Sequence, residues 1–201
     1  MLKLISKAFL KLGGWQIAGP PPKEVFEKCV MICAPHTSNW DYPIALAITS
    51  ILGIKTSYAF KKEMMDSPLG PLLKSLGALS IDRTPKKEGA ERPSTVQAIA
   101  NLFQEHEKLC VMIAAEGSRS LRTEWKTGFY YIALQAKVPI CLGYLDYKNK
   151  IGGFSKIVYP TGDIHADMKE IMDFFQDKTG KKPKQFSLDQ RFVSNPATSE
   201  E

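Results

Sequence analysis

The chain has 201 residues, of which 44% are hydrophobic and 24% charged, and its formal net charge is +6 at pH 7. This length suits one globular domain, and the composition excludes a collagen-like, disulfide-rich or wholly disordered protein. The positive balance favours an anionic partner. Because the sequence has no RNP-like aromatic pattern and no zinc finger, nucleic acid is a weaker choice than a phosphorylated substrate or an anionic membrane.

The first predicted element is an amphipathic helix within residues 1–19. Lys3, Lys7 and Lys11 recur every four residues, and apolar side chains fill most of the other positions up to Leu12. The segment is too short and too polar to span a bilayer. We expect it to lie on a membrane surface or, as an equal alternative, to pack back on the domain.

Composition also sets the predicted domain boundaries. A stiff connector, Pro20-Pro21-Pro22, follows the amphipathic segment. A single globular domain is predicted from residue 23 to 180. From residue 181 to 201 the apolar periodicity is lost, and this stretch is predicted to be a polar, flexible tail.

Short apolar runs alternate with helix-like segments through the predicted domain. This order is typical of an α/β protein with a mostly parallel central sheet flanked by helices. In such sheets ligands bind beyond the carboxyl ends of the strands. The predicted strands are Cys29–Ala34, Thr56–Phe60, Ala78–Ile81, Leu109–Ala114, Pro139–Tyr147 and Ile157–Tyr159. The predicted helices are Pro43–Ile51, Leu69–Leu76, Ser94–His106, Gly128–Gln135 and Asp163–Asp177.

All four cysteines, Cys29, Cys33, Cys110 and Cys141, fall within the predicted strands. The separation of Cys29 and Cys33 is not a standard zinc spacing, and no histidine or second cysteine pair lies nearby in sequence. We therefore expect buried, reduced thiols of a cytosolic protein, and no metal site.

The pair with the clearest chemistry is His36 and Asp41, five residues apart after the first predicted strand. In a continuous helix their side chains would point about 140° apart, and in a strand they would lie on opposite faces, so contact requires a tight turn. Ser38 and Asn39 are turn formers, and Pro43 opens a new helix. A carboxylate that binds one imidazole nitrogen leaves the other nitrogen as a base. The alternative is structural, with Asp41 as a helix N-cap and His36 as a turn residue.

Two further predicted strands also end in polar residues. Arg83 follows the third strand, and Glu116, Gly117 and Arg119 follow the fourth. Guanidinium groups suit a phosphate, and a glycine lets backbone N–H groups approach it. Together with His36, these residues predict one pocket at the carboxyl edge of the sheet. The sequence has no Walker A loop, Gly-x-Ser-x-Gly elbow, Gly-x-Gly-x-x-Gly fingerprint or His-Glu-x-x-His motif.

Four motif blocks in this order resemble the glycerolipid acyltransferase family, the 1-acylglycerol-3-phosphate acyltransferase-like enzymes of the His-x4-Asp type. The blocks are the pair His36 and Asp41, the segment Gly77 to Arg83, the segment Glu116 to Ser120 and the segment Val138 to Ile140. The third block is similar to the family's Glu-Gly-Thr-Arg-Ser, with Ser118 in the place of the threonine.

The resemblance implies transfer of a fatty acyl group from acyl-CoA or an acyl carrier protein to a lysophospholipid-like acceptor, most commonly 1-acyl-sn-glycerol-3-phosphate, in phospholipid biosynthesis. The implied general base is His36, oriented by Asp41. The implied substrate-binding residues are Arg83, Glu116, Gly117, Ser118 and Arg119. The thioester is the co-substrate, and no metal or other cofactor is expected. The expected location is the cytoplasmic side of the inner membrane, with peripheral attachment.

Two other functions stay open. With Ser38 or Ser118 as nucleophile and His36 as base, the protein would be a lipid hydrolase or a ping-pong transferase. With His36 and Asp41 serving only as turn and cap, it would be a non-catalytic lipid-binding domain at a membrane surface.

Overall fold

A five-stranded sheet forms the centre of the fold in this computed structural model, which describes residues 2–19, 23–61, 65–75, 77–81 and 93–193. The strands are β1 (Gln16–Ile17), β2 (Lys28–Cys33), β3 (Tyr58–Lys61), β4 (Ala78–Ile81), β5 (Leu109–Ala114), β6 (Ile140–Asp146) and β7 (Ile151–Val158). The helices are α1 (Leu2–Leu12), α2 (Lys23–Glu27), α3 (Asp41–Leu52), α4 (Gly70–Ser75), α5 (Thr95–Glu105), α6 (Gly128–Ala136) and α7 (Ile164–Phe175), followed by a short 3₁₀ helix (Pro183–Gln185).

The strand order in the sheet is β1-β7-β6-β2-β5. Strand β2 is parallel to both β5 and β6, and β1 is parallel to β7. Strands β3 and β4 form a separate parallel pair, which a single bridge between Ser57 and Val111 connects to β5. The predicted fold class, a single α/β domain with a mostly parallel sheet flanked by helices, is therefore confirmed.

The sheet departs from the prediction at its last strand. Strand β7 begins at Ile151, six residues before the predicted start at Ile157, and pairs antiparallel with β6. A short turn can join only antiparallel neighbours, and residues 147–150 form such a turn. The start of β7 was missed because it contains Gly152 and Gly153, and glycine is depleted in strands.

Both faces of the sheet are buried. On β2, Val30 and Ile32 face the layer formed by α5, α6 and α7, while Cys29 and Met31 face the layer that contains α1 and α3. All four side chains are fully buried. A strand packed on both faces reads as a continuous apolar run, which is why its type and place were predictable from sequence.

The cysteines are free thiols in the structure. Cys29, Cys110 and Cys141 are buried, and Cys33 is half-buried. The sulfur atoms of Cys29 and Cys110, which lie opposite each other on β2 and β5, are 3.5 Å apart. Burial raises the pKa of the Cys33 thiol to about 12, so this thiol stays protonated at neutral pH.

Helix α1 packs against α3 and keeps an apolar surface free. Ser6 and Leu10 are its buried residues, whereas Leu4, Ile5 and Leu12 are 74%, 60% and 89% exposed. The helix therefore packs on the domain, as one alternative predicted, while most of its apolar side chains point away from it. Within the described residues, no helix has the length and hydropathy needed to cross a bilayer.

The predicted tail boundary at residue 181 needs correction. Residues 181–193 lie against the domain, where fully buried Asp189 accepts a hydrogen bond from the backbone N–H of Trp125 at 3.0 Å. The Arg191 guanidinium donates to both oxygens of Asp189, at 2.9 and 2.7 Å. The hydrogen bond to Trp125 joins residues 64 positions apart in sequence, and all of these contacts are polar, so hydrophobic periodicity within the segment does not reveal them. Residues 194–201 lie outside the described residues.

Candidate active site

Three neighbouring strands deliver polar side chains to the same edge of the sheet. Because β6, β2 and β5 are adjacent and parallel, their carboxyl ends lie side by side. His36 follows β2, Glu116 follows β5 and Tyr147 follows β6. The pocket is therefore built where an open α/β sheet ordinarily binds ligands.

A tight turn brings His36 and Asp41 together. The Nδ1 atom of His36 lies 3.3 Å from Oδ2 of Asp41. The same oxygen accepts the backbone N–H groups of Thr37 and Ser38, each at 2.9 Å. Asp41 is the first residue of α3, the N-cap position is Trp40, and the carboxylate turns back into the preceding loop. The alternative in which Asp41 caps the helix is therefore wrong.

Tyr147 supplies a further contact to the buried carboxylate. Its hydroxyl donates to Oδ1 of Asp41 at 2.7 Å, and its ring packs edge-on against Trp15 at 4.9 Å. Burial acts to raise the pKa of Asp41, but hydrogen bonds from His36, Tyr147 and Ser38 outweigh it and hold this pKa below its usual value. Asp41 is therefore an ionised carboxylate that faces the imidazole.

Sequence reasoning missed Tyr147. Tyr147 directly follows the carboxyl end of β6, a strand that pairs with β2. A polar side chain at a strand's carboxyl end in the predicted α/β sheet was the available signal. Burial, together with the hydrogen bond to Asp41, raises the pKa of Tyr147 far above its usual value, and the hydroxyl stays a donor.

Glu116 holds the backbone beside the imidazole. Its Oε1 atom accepts the backbone N–H of His36 at 2.6 Å, and the side chain is 1% exposed. Among the described residues, its Oε2 atom has no hydrogen-bond partner. Burial raises the pKa of Glu116 to about 8; the hydrogen bond from His36 lowers it in part, and the charge of Asp41 raises it further. At pH 7 Glu116 is therefore mostly a neutral acid.

The loop after Glu116 turns at Gly117, whose φ is +67°. The positive φ favours glycine, and a Cβ atom at this position would lie 2.6 Å from Cδ of the flexible Lys126 side chain, which would have to move. Arg119 follows in an exposed position at the rim of the pocket.

The two serines considered as nucleophiles serve as turn acceptors. Ser38 Oγ accepts the backbone N–H of Trp40 at 3.2 Å, and Ser118 Oγ accepts that of Ser120 at 3.0 Å. Within the described part of the chain, neither hydroxyl hydrogen bonds to His36. A serine nucleophile activated by this histidine therefore finds no support in the geometry.

An apolar cavity of about 240 Å³ adjoins the pair. His36, Asp41 and Arg119 border it, and its walls include Cys33, Ala45, Ile48, Tyr58, Met112 and Phe154. Arg83 belongs to residues 82–92, which lie outside the described residues, so its place in the pocket stays a prediction.

Comparison with known proteins assigns the chain to a family. The acyltransferase family profile matches residues 21–141, which is more than half of the chain. The chain belongs to the acyltransferase family. The resemblance inferred from the four motif blocks is thereby confirmed.

Two acyltransferases illustrate the relationship. The "Probable 1-acyl-sn-glycerol-3-phosphate acyltransferase" of Mycoplasma pneumoniae is 26% identical over 155 residues, which are 71% of this chain and 56% of that relative. The chain thus spans little more than half the length of that relative. The crystal structure of the 1-acyl-sn-glycerophosphate (LPA) acyltransferase PlsC from Thermotoga maritima superimposes with a TM-score of 0.53 at 12% identity, covering 86% of this chain and 74% of that one. This second likeness supports the fold alone.

Proposed function

We propose that this protein transfers a fatty acyl group from a thioester to the hydroxyl of a lysophospholipid-like acceptor, with 1-acyl-sn-glycerol 3-phosphate as the acceptor. The observation that carries the proposal is the His36 imidazole, held by Asp41 at an apolar cavity. The name of the Mycoplasma pneumoniae relative supports the same choice of acceptor.

The chemistry needs one base and two aligned substrates. With Nδ1 of His36 donating toward Asp41, Nε2 carries the lone pair. Nε2 takes the proton of the acceptor hydroxyl while the oxygen of that hydroxyl attacks the thioester carbonyl carbon. The tetrahedral intermediate then collapses, the C–S bond breaks, and the departing thiolate takes the proton from His36. The products are an ester and a free thiol, and no metal or further cofactor takes part.

The surrounding residues keep the base in place. The Asp41 carboxylate stabilises the imidazolium that forms after proton transfer, because it is ionised and lies 3.3 Å from Nδ1. Tyr147 fixes that carboxylate, and Glu116 fixes the backbone of His36. Neither Tyr147 nor Glu116 needs to touch a substrate to fulfil this role.

The two ends of a lipid substrate suit different parts of the pocket. The apolar cavity suits an acyl chain, and Arg119 at its rim suits a phosphate. We propose Arg83 as a second guanidinium for the phosphate, and Gly117 and Ser118 as the turn that presents Arg119. Either acyl-CoA or an acyl carrier protein fits the requirement for a thioester donor.

We also propose that α1 attaches the protein to the cytoplasmic face of the inner membrane. The outward side chains of Leu4, Ile5 and Leu12 would enter the lipid interface, and the neighbouring lysines of α1 would contact anionic headgroups. Trp15, three residues after the end of α1, packs against Tyr147, so the carboxyl end of α1 lies near the pocket that would receive a lipid.

The test is an acyl-transfer assay with purified protein. Radiolabelled palmitoyl-CoA or palmitoyl-acyl carrier protein is offered with lysophosphatidate, lysophosphatidylethanolamine, lysophosphatidylglycerol or monoacylglycerol, and the products are identified by mass spectrometry. We expect phosphatidate to form fastest. Release of free fatty acid, or an acyl-enzyme trapped without acceptor, would favour a serine hydrolase. Vesicle binding without transfer to any acceptor would favour a lipid-binding domain and refute the proposal.

A further inference from the structure

A second cleft, of about 480 Å³, borders the turn formed by residues 37–40. Its cationic side chains are Arg119, Lys181 and Lys182, and Ser120 adds a hydroxyl. Arg119 also borders the apolar cavity, so the two spaces meet at this side chain. The cleft therefore adjoins the cavity that contains His36, the proposed base.

The two lysines belong to a segment that the family match does not include, because that match ends at residue 141. Residues 180–185, here called the strap, are nevertheless fixed to the turn. The backbone N–H of Lys182 donates to Thr37 Oγ1 at 3.2 Å, and a Cβ atom at Gly180 would lie 2.8 Å from the same oxygen. The Gln185 amide nitrogen, in the orientation that its surroundings favour, donates to the carbonyls of Thr37 and Arg119 at 3.2 Å each.

Within the part of the chain that the structure describes, the charges in the cleft lack a protein counterion. Among the described residues, Lys181, Lys182 and Arg119 form no ion pair, and no carboxylate lines the cleft. The ammonium of Lys181 lies 4.9 Å from the ring centroid of Trp40, which restricts where this charge points. Two ammonium groups and a guanidinium in a concave polar site favour a compact dianion.

We propose that Lys181 and Lys182, with Arg119, bind a phosphomonoester dianion. This inference rests on the proposed function, because that reaction offers two such groups: the phosphate of the acceptor and the 3′-phosphate of a coenzyme A donor. Both present the same chemistry to the cleft. The strap thus extends the phosphate site beyond the motif block that contains Arg119.

A binding measurement tests the site without relying on activity. The full chain, the double variant Lys181→Gln/Lys182→Gln and the control Lys184→Gln are titrated with glycerol 3-phosphate and followed by ³¹P NMR. Lys184 is an exposed lysine of the strap that does not line the cleft. We expect the double variant to bind about tenfold more weakly than the wild type, and the control to match the wild type. Absent binding by the wild type, or equal weakening in the control, would overturn the proposal.

Kinetic measurements then identify the source of the phosphate. Lysophosphatidate is compared with monoacylglycerol as acceptor, and acyl-CoA with an acyl-N-acetylcysteamine thioester as donor. In the double variant, a KM raised about tenfold for lysophosphatidate alone assigns the cleft to the acceptor, and one raised for acyl-CoA alone assigns it to the donor. Restoration by Lys181→Arg/Lys182→Arg supports a charge-based role. If the wild type transfers acyl groups and the double variant shows neither change, the cleft assignment fails and the proposed function stands. If the wild type binds glycerol 3-phosphate without any acyl transfer, the proposed function fails instead.

Discussion

Replacing Glu116 by glutamine tests how a buried carboxyl acts beside the proposed base. Glutamine keeps the shape of the side chain, and its Oε1 can accept the His36 N–H that Glu116 accepts at 2.6 Å. Because burial raises the pKa of Glu116 to about 8, the wild-type side chain is already mostly neutral at pH 7. We therefore expect Glu116→Gln to keep most of the wild-type turnover.

The same substitution should change how stability depends on pH. The pKa of Glu116 rises from 4.5 in the unfolded chain to about 8 in the folded protein. Between these values the folded protein binds a proton that the unfolded chain has lost, so the contribution of Glu116 to stability is full below pH 4.5 and is lost as pH rises from 4.5 to about 8. At ~1.4 kcal/mol per pH unit, the loss amounts to about 5 kcal/mol. Glutamine does not titrate, so the variant should lack this loss.

Urea unfolding at pH 5, 6, 7 and 8 measures the difference directly. The free energy of unfolding of the wild type should fall with pH relative to that of Glu116→Gln, while the exposed control Glu24→Gln should parallel the wild type. Parallel curves for the wild type and Glu116→Gln would refute the account of a protonated, buried acid. A loss of turnover of about a hundredfold or more in Glu116→Gln would show that the carboxyl acts in the chemistry.

Three further variants test other parts of the account. Tyr147→Phe removes the 2.7 Å hydrogen bond to Asp41, so kcat should fall about tenfold, equivalent to ~1.4 kcal/mol, with little change in acceptor KM; an unchanged kcat would deny Tyr147 a positioning role. Arg119→Lys keeps the charge and loses the planar fork, so the KM for lysophosphatidate should rise, and unaltered acceptor kinetics would remove Arg119 from the site. Leu4→Ser/Leu12→Ser removes two outward apolar side chains of α1, so sedimentation with anionic vesicles should weaken at least tenfold; wild-type binding by this variant would contradict attachment through α1.

The central part of the fold was predictable because its signals are local. Strand β5 spans Leu109–Ala114, as its continuous apolar run predicts, and β2 differs from its predicted bounds by one residue at each end. Burial on both faces gives these strands an unbroken apolar pattern. The contact between His36 and Asp41 also had a local signal. Their spacing allows contact only through a tight turn, and turn-forming residues lie between them.

The missed features depend on which elements meet in space. Tyr147 reaches Asp41 because β6 pairs with β2, and the pattern within β6 does not specify its neighbour. The strap packs on the turn through backbone and amide hydrogen bonds of Lys182 and Gln185, which leave no hydrophobic periodicity. Polar segments fixed by such contacts resemble flexible tails in sequence, which explains the misplaced boundary at residue 181.

The most direct test of the central claim is the kcat of His36→Ala, measured beside the control His106→Ala, which alters an exposed histidine at the end of α5. Removal of a general base predicts that His36→Ala loses about 10² to 10⁴ in kcat, whereas His106→Ala keeps the wild-type rate. Urea unfolding checks that both variants are folded at the temperature of the assay, so that a loss of kcat reports the loss of the base. Near-wild-type turnover in folded His36→Ala would contradict the claim that this imidazole takes the proton of the acceptor.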